Sequence, residues 1–386
     1  MTSSTLKNGS LNRAKIAKSD EFYTRFEDIQ HEINAYVECD PNVFRGKTIL
    51  LPCDDPEQSN FTRFFAMKFK EYGLKKLIST SYVGASKQLS PSIRTGNWRS
   101  GNPLYDEEKN NIHGRVSILL DDMPVNQLGY EHLNWRYLEG DGDFRDPEIR
   151  ALRDESDFII TNPPFSLFRE FLVWIMEAGK QFSIIGNMNA ITYKEVFPLI
   201  KQNNMWLGPS IHSGDRKFWV PDDYPLNAAT CGVDDEGRRF IHVKGVRWYT
   251  NIDHNKRHTP LFLSPARGVL QNTKHKELAG KNEFDHYDNY EAIEIPYVDS
   301  IPDDWDGMMG VPISFLDKYC PEQFEIVGSF NGGEHGAELG ATKVPIRGGR
   351  PMKHWNGPVI NGVPLYKRII IKRIGHQRNS RSVSGS

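Results

Sequence analysis

The sequence predicts an α/β fold with an open sheet, followed by a C-terminal region of a different character. Three segments are predicted as strands, 47–52, 76–82 and 158–161, and the last is a run of four apolar or β-branched residues typical of a buried strand. From about His258 onward, prolines, glycines and short polar segments replace this pattern. We therefore expect three parts: a disordered basic leader over 1–18, a main domain over 19–257 and an appended region over 258–386.

The first helix is predicted to begin near Thr24. Thr24 and Glu27 have the spacing of a capping box, and apolar residues follow at helical spacing as far as Val37. Phe22 and Tyr23 would then lie in the loop before the helix. On this pattern alone, two aromatic residues before a helix indicate a hydrophobic staple more often than a ligand platform.

A β-α-β unit follows, and its first corner is acidic. The strand at 47–52 ends at Cys53-Asp54-Asp55-Pro56, Ser59 can cap the next helix, and the strand at 76–82 completes the unit. Open α/β sheets hold nucleotide-like cofactors at such a corner. Two carboxylates and no glycines provide no phosphate cradle, which argues against ATP or NAD. The corner suits a ligand with a cationic centre, such as S-adenosylmethionine.

The motif Asn162-Pro163-Pro164-Phe165 ends the strand at 158–161. The prolines cannot continue the ladder and force a rigid turn, and the sequence after them has helical spacing. Asn162 and Phe165 are therefore expected at the carboxyl edge of the sheet, where ligands bind.

This motif suits methylation of an exocyclic amine. The nitrogen lone pair of an aromatic amine is delocalised into the ring, which makes the amine a poor nucleophile. The Asn162 amide oxygen and the Pro163 carbonyl can accept hydrogen bonds from the amine and localise that lone pair towards a methyl donor. Phe165 can stack on the base. The alternative is a Pro-Pro turn that only ends a strand.

The remaining elements complete the sheet and the C-terminal region. Further strands are predicted at 115–120, 135–138 and 182–187, with a helix opened by Pro147 and another containing Tyr193. We expect 216–220 and 246–252 to form an antiparallel pair at the sheet edge. Nine glycines in 328–362 argue against regular structure there, and 366–374 forms a last strand.

Composition limits the class of protein and its compartment. The chain has 386 residues, of which 38% are hydrophobic and 25% charged, and no run approaches the roughly 20 apolar residues of a membrane span. The N-terminus has no apolar core of a signal peptide. Four widely spaced cysteines predict a reducing cytoplasm with no disulfide and no metal site.

The C-terminal segment is basic although the net charge of the chain is -2. No acidic residue follows Glu338. Ten lysines and arginines do: Lys343, Arg347, Arg350, Lys353, Lys367, Arg368, Lys372, Arg373, Arg378 and Arg381. Either this is a solvated basic tail or it contacts phosphates, and charge alone does not distinguish the two.

Six segments together resemble the EcoRI-type adenine-specific DNA methyltransferases. They are SDEFYT at 19–24, CDDP at 53–56 with Ser59-Asn60-Phe61, GDGDFR at 140–145, TNPPFSLFRE at 161–170, ITYKEVF at 191–197 and GVPISFL at 310–316. The resemblance implies a Rossmann-like fold, S-adenosylmethionine as methyl donor, no metal, and N6-methyladenine in double-stranded DNA as product. Together with the change of composition at about His258, we expect a catalytic domain at 19–257 and a target-recognition region at 258–386, with a cognate restriction endonuclease as a possible partner.

The resemblance also carries residue roles. It implies catalysis by Asn162, Pro163, Pro164 and Phe165, and a second wall of the base pocket at Tyr193. The cofactor residues that it implies are Phe22, Tyr23, Thr24, Asp54, Asp55, Ser59, Asp143 and Phe144. The DNA contacts expected from charge are Arg347, Arg350, Lys353 and Lys367.

Two other readings of the sequence stay open. An Asn-Pro-Pro-aromatic motif also occurs in methyltransferases of RNA or of protein amides. A DNA-binding regulator without catalysis is the third reading, and the intact motif at 162–165 argues against it.

Overall fold

The computed structural model describes residues 22–83, 105–123, 133–212, 214–220, 224, 226, 231–347 and 353–374. The predicted leader at 1–18 lies outside them. The chain forms two compact units, one from residues 1–190 and 205–255 and the other from 191–204 and 256–386. No helix in the described ranges is long and apolar enough to cross a membrane.

The first unit is built on an eight-stranded mixed sheet. Its helices are α1 (Phe26–Cys39), α2 (Asn60–Lys68), α3 (Glu107–Asn110), α4 (Pro147–Glu155) and α5 (Phe168–Glu177). Its sheet strands are β1 (Thr48–Leu51), β2 (Lys76–Ser81), β3 (Arg115–Leu120), β4 (Trp135–Tyr137), β5 (Phe158–Thr161), β6 (Gln181–Asn187), β7 (Trp206–Leu207) and β11 (Val246–Thr250). The strand order is β4-β3-β2-β1-β5-β6-β11-β7. The predicted α/β class is confirmed.

The central strands β2, β1, β5 and β6 run parallel, and the strands on either side of them run antiparallel. All four residues of β1 and all four of β5 are buried, as the apolar runs predict. The strand β2, which follows β1 in the sequence, pairs with one edge of β1, and β5 pairs with the other edge of β1. The carboxyl ends of β1 and β5 therefore form a topological switch point, where open sheets bind ligands.

A separate three-stranded sheet of the first unit contains β8 (Asp215–Trp219), β9 (Cys231–Val233) and β10 (Arg239–Lys244). The predicted pairing of 216–220 with 246–252 is wrong. The strand β8 pairs with β10, while β11 pairs with β6 and β7 in the large sheet. Local strand signals identify both segments, but strand partners depend on long-range packing.

The first helix also differs from its prediction. It starts at Phe26, Arg25 is its N-cap, and no side chain caps it. The capping box of Thr24 and Glu27 is therefore wrong. Tyr23 pairs in an extended bridge with Trp219, and the Thr24 carbonyl accepts a hydrogen bond from Asn60 Nδ2 at 2.8 Å. These contacts keep the backbone extended through residue 25.

The second unit contains a four-stranded sheet of order β12-β13-β19-β14. Its strands are β12 (Ile293–Glu294), β13 (Met309–Pro312), β14 (Phe324–Phe330), β15 (Val344–Pro345), β16 (His354–Trp355), β17 (Val359–Ile360), β18 (Val363–Pro364) and β19 (Arg368–Arg373). Its helices are α6 (Phe197–Lys201), α7 (Ala266–Asn272) and α8 (Glu334–Glu338). The last predicted strand is confirmed as β19.

Two expectations for this unit need correction. The helix predicted around Tyr193 is broken into a 3₁₀ turn (Met188–Thr192) and α6. The glycine-rich stretch 328–362 does hold regular structure, namely the end of β14, α8 and two short hairpins. Glycines there occupy turns such as Gly332 and Gly362, both with positive φ, so they separate short elements and do not abolish them.

Candidate active site

Two neighbouring strand ends bring together the motifs that the sequence singles out. Register pairs Ile49 with Phe158 and Leu50 with Ile159, so the segments after β1 and β5 leave the sheet side by side. Thr161, at the end of β5, lies with its Oγ1 2.7 Å from Asp54 Oδ2. The acidic corner and the Asn162 motif therefore form one site.

Asp54 is held at this site by three elements. It is buried, its N–H donates to the Thr80 carbonyl at 2.7 Å, and its Oδ1 accepts a hydrogen bond from Ser59 Oγ at 2.5 Å. Ser59 also accepts from the N–H groups of Phe61 and Thr62, so its prediction as the cap of α2 is confirmed. Burial raises the pKa of Asp54 to about 7, against the hydrogen bonds from Ser59 and Thr161.

Asp55 lies beside a buried guanidinium. Burial raises its pKa, and Arg115, with Nη1 3.8 Å from Asp55 Oδ2, opposes that rise. Arg115 is itself 1% exposed, contacts Glu57 at 2.9 Å and lies over the Trp135 ring at 4.4 Å. Arg115 is not predictable from the sequence, because nothing in a strand-initial arginine distinguishes it from a surface residue.

Asn162 has one end of its amide occupied and the other unpartnered. Nδ2 donates to the Phe22 carbonyl at 2.6 Å, which orients the amide. Oδ1 is buried and has no hydrogen-bond partner in the structure. A buried acceptor without a donor is costly, so its retention points to a donor supplied by a ligand. An amine proton of a target base would be such a donor.

Phe165 completes the motif as an aromatic surface next to the amide. It opens a 3₁₀ turn (Phe165–Leu167), whose Leu167 N–H donates to the Pro164 carbonyl at 2.9 Å. Its ring meets the Phe22 ring edge-on at 5.6 Å and stays partly exposed. The two prolines separate strand from turn, as the sequence predicts.

The segment before α1 belongs to the same site. Phe22 is buried against Phe165 and against Phe218 of β8, at 5.9 Å between ring centroids. Tyr23 exchanges both backbone hydrogen bonds with Trp219, at 3.0 and 3.1 Å. Thr24 Oγ1 is buried without a partner. The structure thus brings together the Phe22 and Asn162 motifs, which are 140 residues apart in sequence.

The loop carrying Asp143 and Phe144 reaches the end of β2. The Val83 N–H donates to the Asp141 carbonyl at 2.8 Å, and Gly142 has φ +85°, with the Ser81 carbonyl 2.1 Å from where a Cβ would lie. Only glycine fits there.

Within that loop, the Asp143 carboxylate binds Arg145 at 2.5 Å, and this hydrogen bond lowers its pKa. Phe144 is buried against Phe171 and Trp174, at 5.1 and 5.6 Å, so it anchors the loop to α5. A role for either residue in cofactor binding stays a prediction.

The other predicted contacts lie in the second unit. Tyr193 is in the segment 191–204, and Arg347 and Lys353 are exposed on a hairpin where the Ile346 N–H donates to the Lys353 carbonyl at 3.0 Å. Lys367 is half-buried, donates from Nζ to Thr192 Oγ1 at 2.9 Å, and has a pKa lowered by burial. Arg350 lies outside the described residues.

The residues at the switch point fit S-adenosylmethionine. Two buried carboxylates, Asp54 and Asp55, suit its positive charge, and the unpartnered Thr24 hydroxyl offers a further polar contact. In the part of the chain that the structure describes, no group of three His, Cys, Asp or Glu is arranged to hold a metal ion.

Comparison with known proteins identifies the family of this chain. The model of the family described as "Adenine-specific methyltransferase EcoRI" matches residues 10–374. The Type II methyltransferase M.EcoRI of Escherichia coli is 40% identical over 317 residues, which cover 82% of this chain and 88% of the relative. M.MpnI of Mycoplasma pneumoniae, also a Type II methyltransferase, is 33% identical over 94% of this chain and 97% of its own length. No solved structure matches the chain. The chain therefore belongs to the EcoRI family of adenine-specific methyltransferases.

Proposed function

We propose that this protein transfers a methyl group from S-adenosylmethionine to N6 of an adenine flipped out of double-stranded DNA. The observation that carries the proposal is the Asn162 amide, with Nδ2 bound to the Phe22 carbonyl and a buried Oδ1 free to accept. An oriented acceptor at the end of a strand can polarise an exocyclic amine without reorganising, which is the main source of electrostatic catalysis.

The chain's own residues supply positioning. An adenine inside the duplex is out of reach, and flipping it out costs a few kcal/mol. Stacking on Phe165 offsets part of that cost, at about 1–3 kcal/mol per base. Asn162 and the Pro163 carbonyl then hold N6 for a direct displacement, and Pro164 keeps the turn rigid. Tyr193 as a second stacking partner is a proposal from the family resemblance.

S-adenosylmethionine supplies an electrophilic methyl group on a cationic sulfur. Asp54 and Asp55 hold its positive charge, supported by the buried position of both carboxylates beside Ser59. Phe22, Tyr23 and Thr24 line the opposite side, and the Asp143-Phe144 loop holds the adenosine part. We propose no metal, because the displacement requires none.

We further propose that the first unit's sheet is Rossmann-like, with a catalytic domain at 19–257 and a DNA-recognition region at 258–386. The parallel centre of the sheet and its switch point support the first part. The basic residues Arg347, Arg350, Lys353 and Lys367 of the C-terminal sequence support the second. A cytoplasmic location and a partner restriction endonuclease fit a Type II system.

The substrate class is tested with labelled methyl donor. Equal amounts of enzyme are incubated with duplex DNA, transfer RNA or protein, and the labelled product is digested and identified. N6-methyladenine in DNA alone is the expected result. Label in RNA or in glutamine would replace this proposal with one of the two other substrate classes. No label in any substrate, with DNA still bound, would favour a regulator without catalysis.

A further inference from the structure

The outer face of the three-stranded sheet β8-β10-β9 carries a stack of alternating cations and rings. Lys217 Nζ lies 4.1 Å from the Phe240 ring centroid and 4.4 Å from that of Trp219. Arg238 lies over the Trp219 ring at 4.3 Å, and His242 is 5.5 Å from Phe240. Each ring thus fixes the position of at least one cation on this face.

Within the described residues, Lys217 differs from Arg238 in having no counter-charge. Arg238 pairs with Asp234 and Glu236, both at 2.9 Å. Among the described residues, no carboxylate lies within salt-bridge distance of Lys217, and no hydrogen bond uses its ammonium. Ring contacts stabilise the charge without using its three N–H donors. Lys217 is therefore a fixed, partly exposed cation whose hydrogen-bonding capacity is unused.

The position of this face makes DNA the fitting partner. Register places Lys217 opposite His242 and two residues from Trp219, whose backbone pairs with Tyr23. The backbone of β8 thus lies one strand spacing, about 4.8 Å, from the backbone of the segment whose Phe22 carbonyl holds Asn162. A duplex whose base enters the Asn162 site brings phosphates close to that segment.

We propose that Lys217, held between Trp219 and Phe240, binds a phosphate of the DNA backbone beside the methylation site. The inference rests on the proposed function, because it requires DNA as the substrate. A lysine already ordered by two rings loses little side-chain entropy when it binds. Gly232 supports the arrangement, since a Cβ there would lie 2.9 Å from the Phe240 ring.

The test measures DNA affinity by fluorescence anisotropy across a range of salt concentrations. Lys217→Met keeps the aliphatic packing and removes the charge. Its slope of log affinity against log salt should be smaller by about 0.9, so its affinity loss between about 50 and 200 mM salt shrinks by roughly 3.5-fold. Lys217→Arg should restore the slope, and S-adenosylmethionine affinity by calorimetry should stay unchanged in both variants.

Lys68→Met is the matched control, because Lys68 also lies near a ring but pairs with Glu71 at 2.6 Å. It should keep the wild-type slope. If Lys217→Met also keeps it, the cation and ring stack is only structural and the proposal is wrong. If the wild-type protein shows no salt-dependent binding to DNA, both the proposed function and the proposed role of Lys217 are wrong.

Discussion

Asp54 and Thr161 meet at the carboxyl ends of β1 and β5, with Thr161 Oγ1 2.7 Å from Asp54 Oδ2. The same hydroxyl lies within hydrogen-bond reach of the Pro52 carbonyl. A threonine hydroxyl has one proton, so it cannot donate to both acceptors. Its hydrogen bond to the Asp54 carboxylate therefore competes with its hydrogen bond to the Pro52 carbonyl. Burial raises the pKa of Asp54 to about 7, against the hydrogen bonds from Ser59 and Thr161.

The stability of the cofactor-free protein should therefore depend on Asp54 and pH. The pKa of a folded-state carboxyl near 7 exceeds its unfolded value near 3.8, so the folded state holds an extra proton between them. The Asp54 carboxyl therefore stabilises the folded state fully below about pH 3.8, where it is protonated in both states. This stabilisation is lost as the pH rises through about 7. Each pKa unit corresponds to about 1.4 kcal/mol, so a loss of a few kcal/mol is expected by about pH 8.

Asp54→Asn should remove most of this pH dependence, which thermal unfolding from about pH 5 to 8 would measure. Cofactor affinity should change in the opposite sense. In the wild-type protein, the affinity for S-adenosylmethionine should rise with pH, because the ionised carboxylate attracts the cationic cofactor. In Asp54→Asn, the affinity should be lower and should not change with pH. An affinity that falls between about pH 6 and 8 would contradict this role.

Asn162→Ala should abolish methyl transfer and leave DNA affinity within a few-fold. The amide acts on the amine in the transition state, whereas most DNA affinity comes from phosphate contacts. Single-turnover rates and anisotropy measure the two effects separately.

Asn162→Asp provides a sharper form of this test. It keeps the shape but places a carboxylate oxygen against the Phe22 carbonyl, where Nδ2 now donates, so it should also lose activity. The control is Asn204→Ala, an exposed asparagine of the second unit. A tenfold loss of rate corresponds to ~1.4 kcal/mol of transition-state stabilisation. If Asn162→Ala keeps more than about a tenth of the wild-type rate, the amide contributes less than that, and the transition-state role is ruled out.

Asp143→Ala should weaken S-adenosylmethionine binding without changing the choice of DNA sequence. Asp143 forms an ion pair with Arg145, so loss of the carboxylate leaves the guanidinium paired with Glu170 at 3.4 Å. Arg145→Ala breaks the same ion pair and keeps the carboxylate. If Asp143 contacts the cofactor, calorimetry should show a larger loss for Asp143→Ala than for Arg145→Ala. Equal losses would mean that the ion pair only orders the loop.

The basic hairpin of the second unit should contribute to the salt dependence of DNA binding. Arg347 and Lys353 are exposed, so replacing both by glutamine should reduce the slope by about 1.8 and weaken cognate and non-cognate DNA equally. Lys367→Gln should change the slope less, since its ammonium already binds Thr192. An unchanged slope in the double variant would identify the hairpin as merely solvated. A loss restricted to cognate DNA would mean that these side chains read bases.

The sequence by itself determined the local parts of this protein. Segments rich in apolar and β-branched residues identified β1, β2, β5 and β6, because a strand buried on both faces favours such residues. Ser59 as a helix cap and the Asn162 turn were equally predictable, since both depend on residues a few positions apart.

Only the tertiary structure decided which of these local elements contact one another. Arg25 replaced Thr24 as the cap of α1 because Tyr23 pairs with Trp219, nearly 200 residues away. The Phe22 carbonyl that orients Asn162 is a backbone group, which no side-chain motif encodes. Burial of Arg115 and the partner of β8 likewise depend on which surfaces pack together. Periodicity reports the environment of a residue along its own element, whereas contacts between distant segments arise from packing of the whole chain.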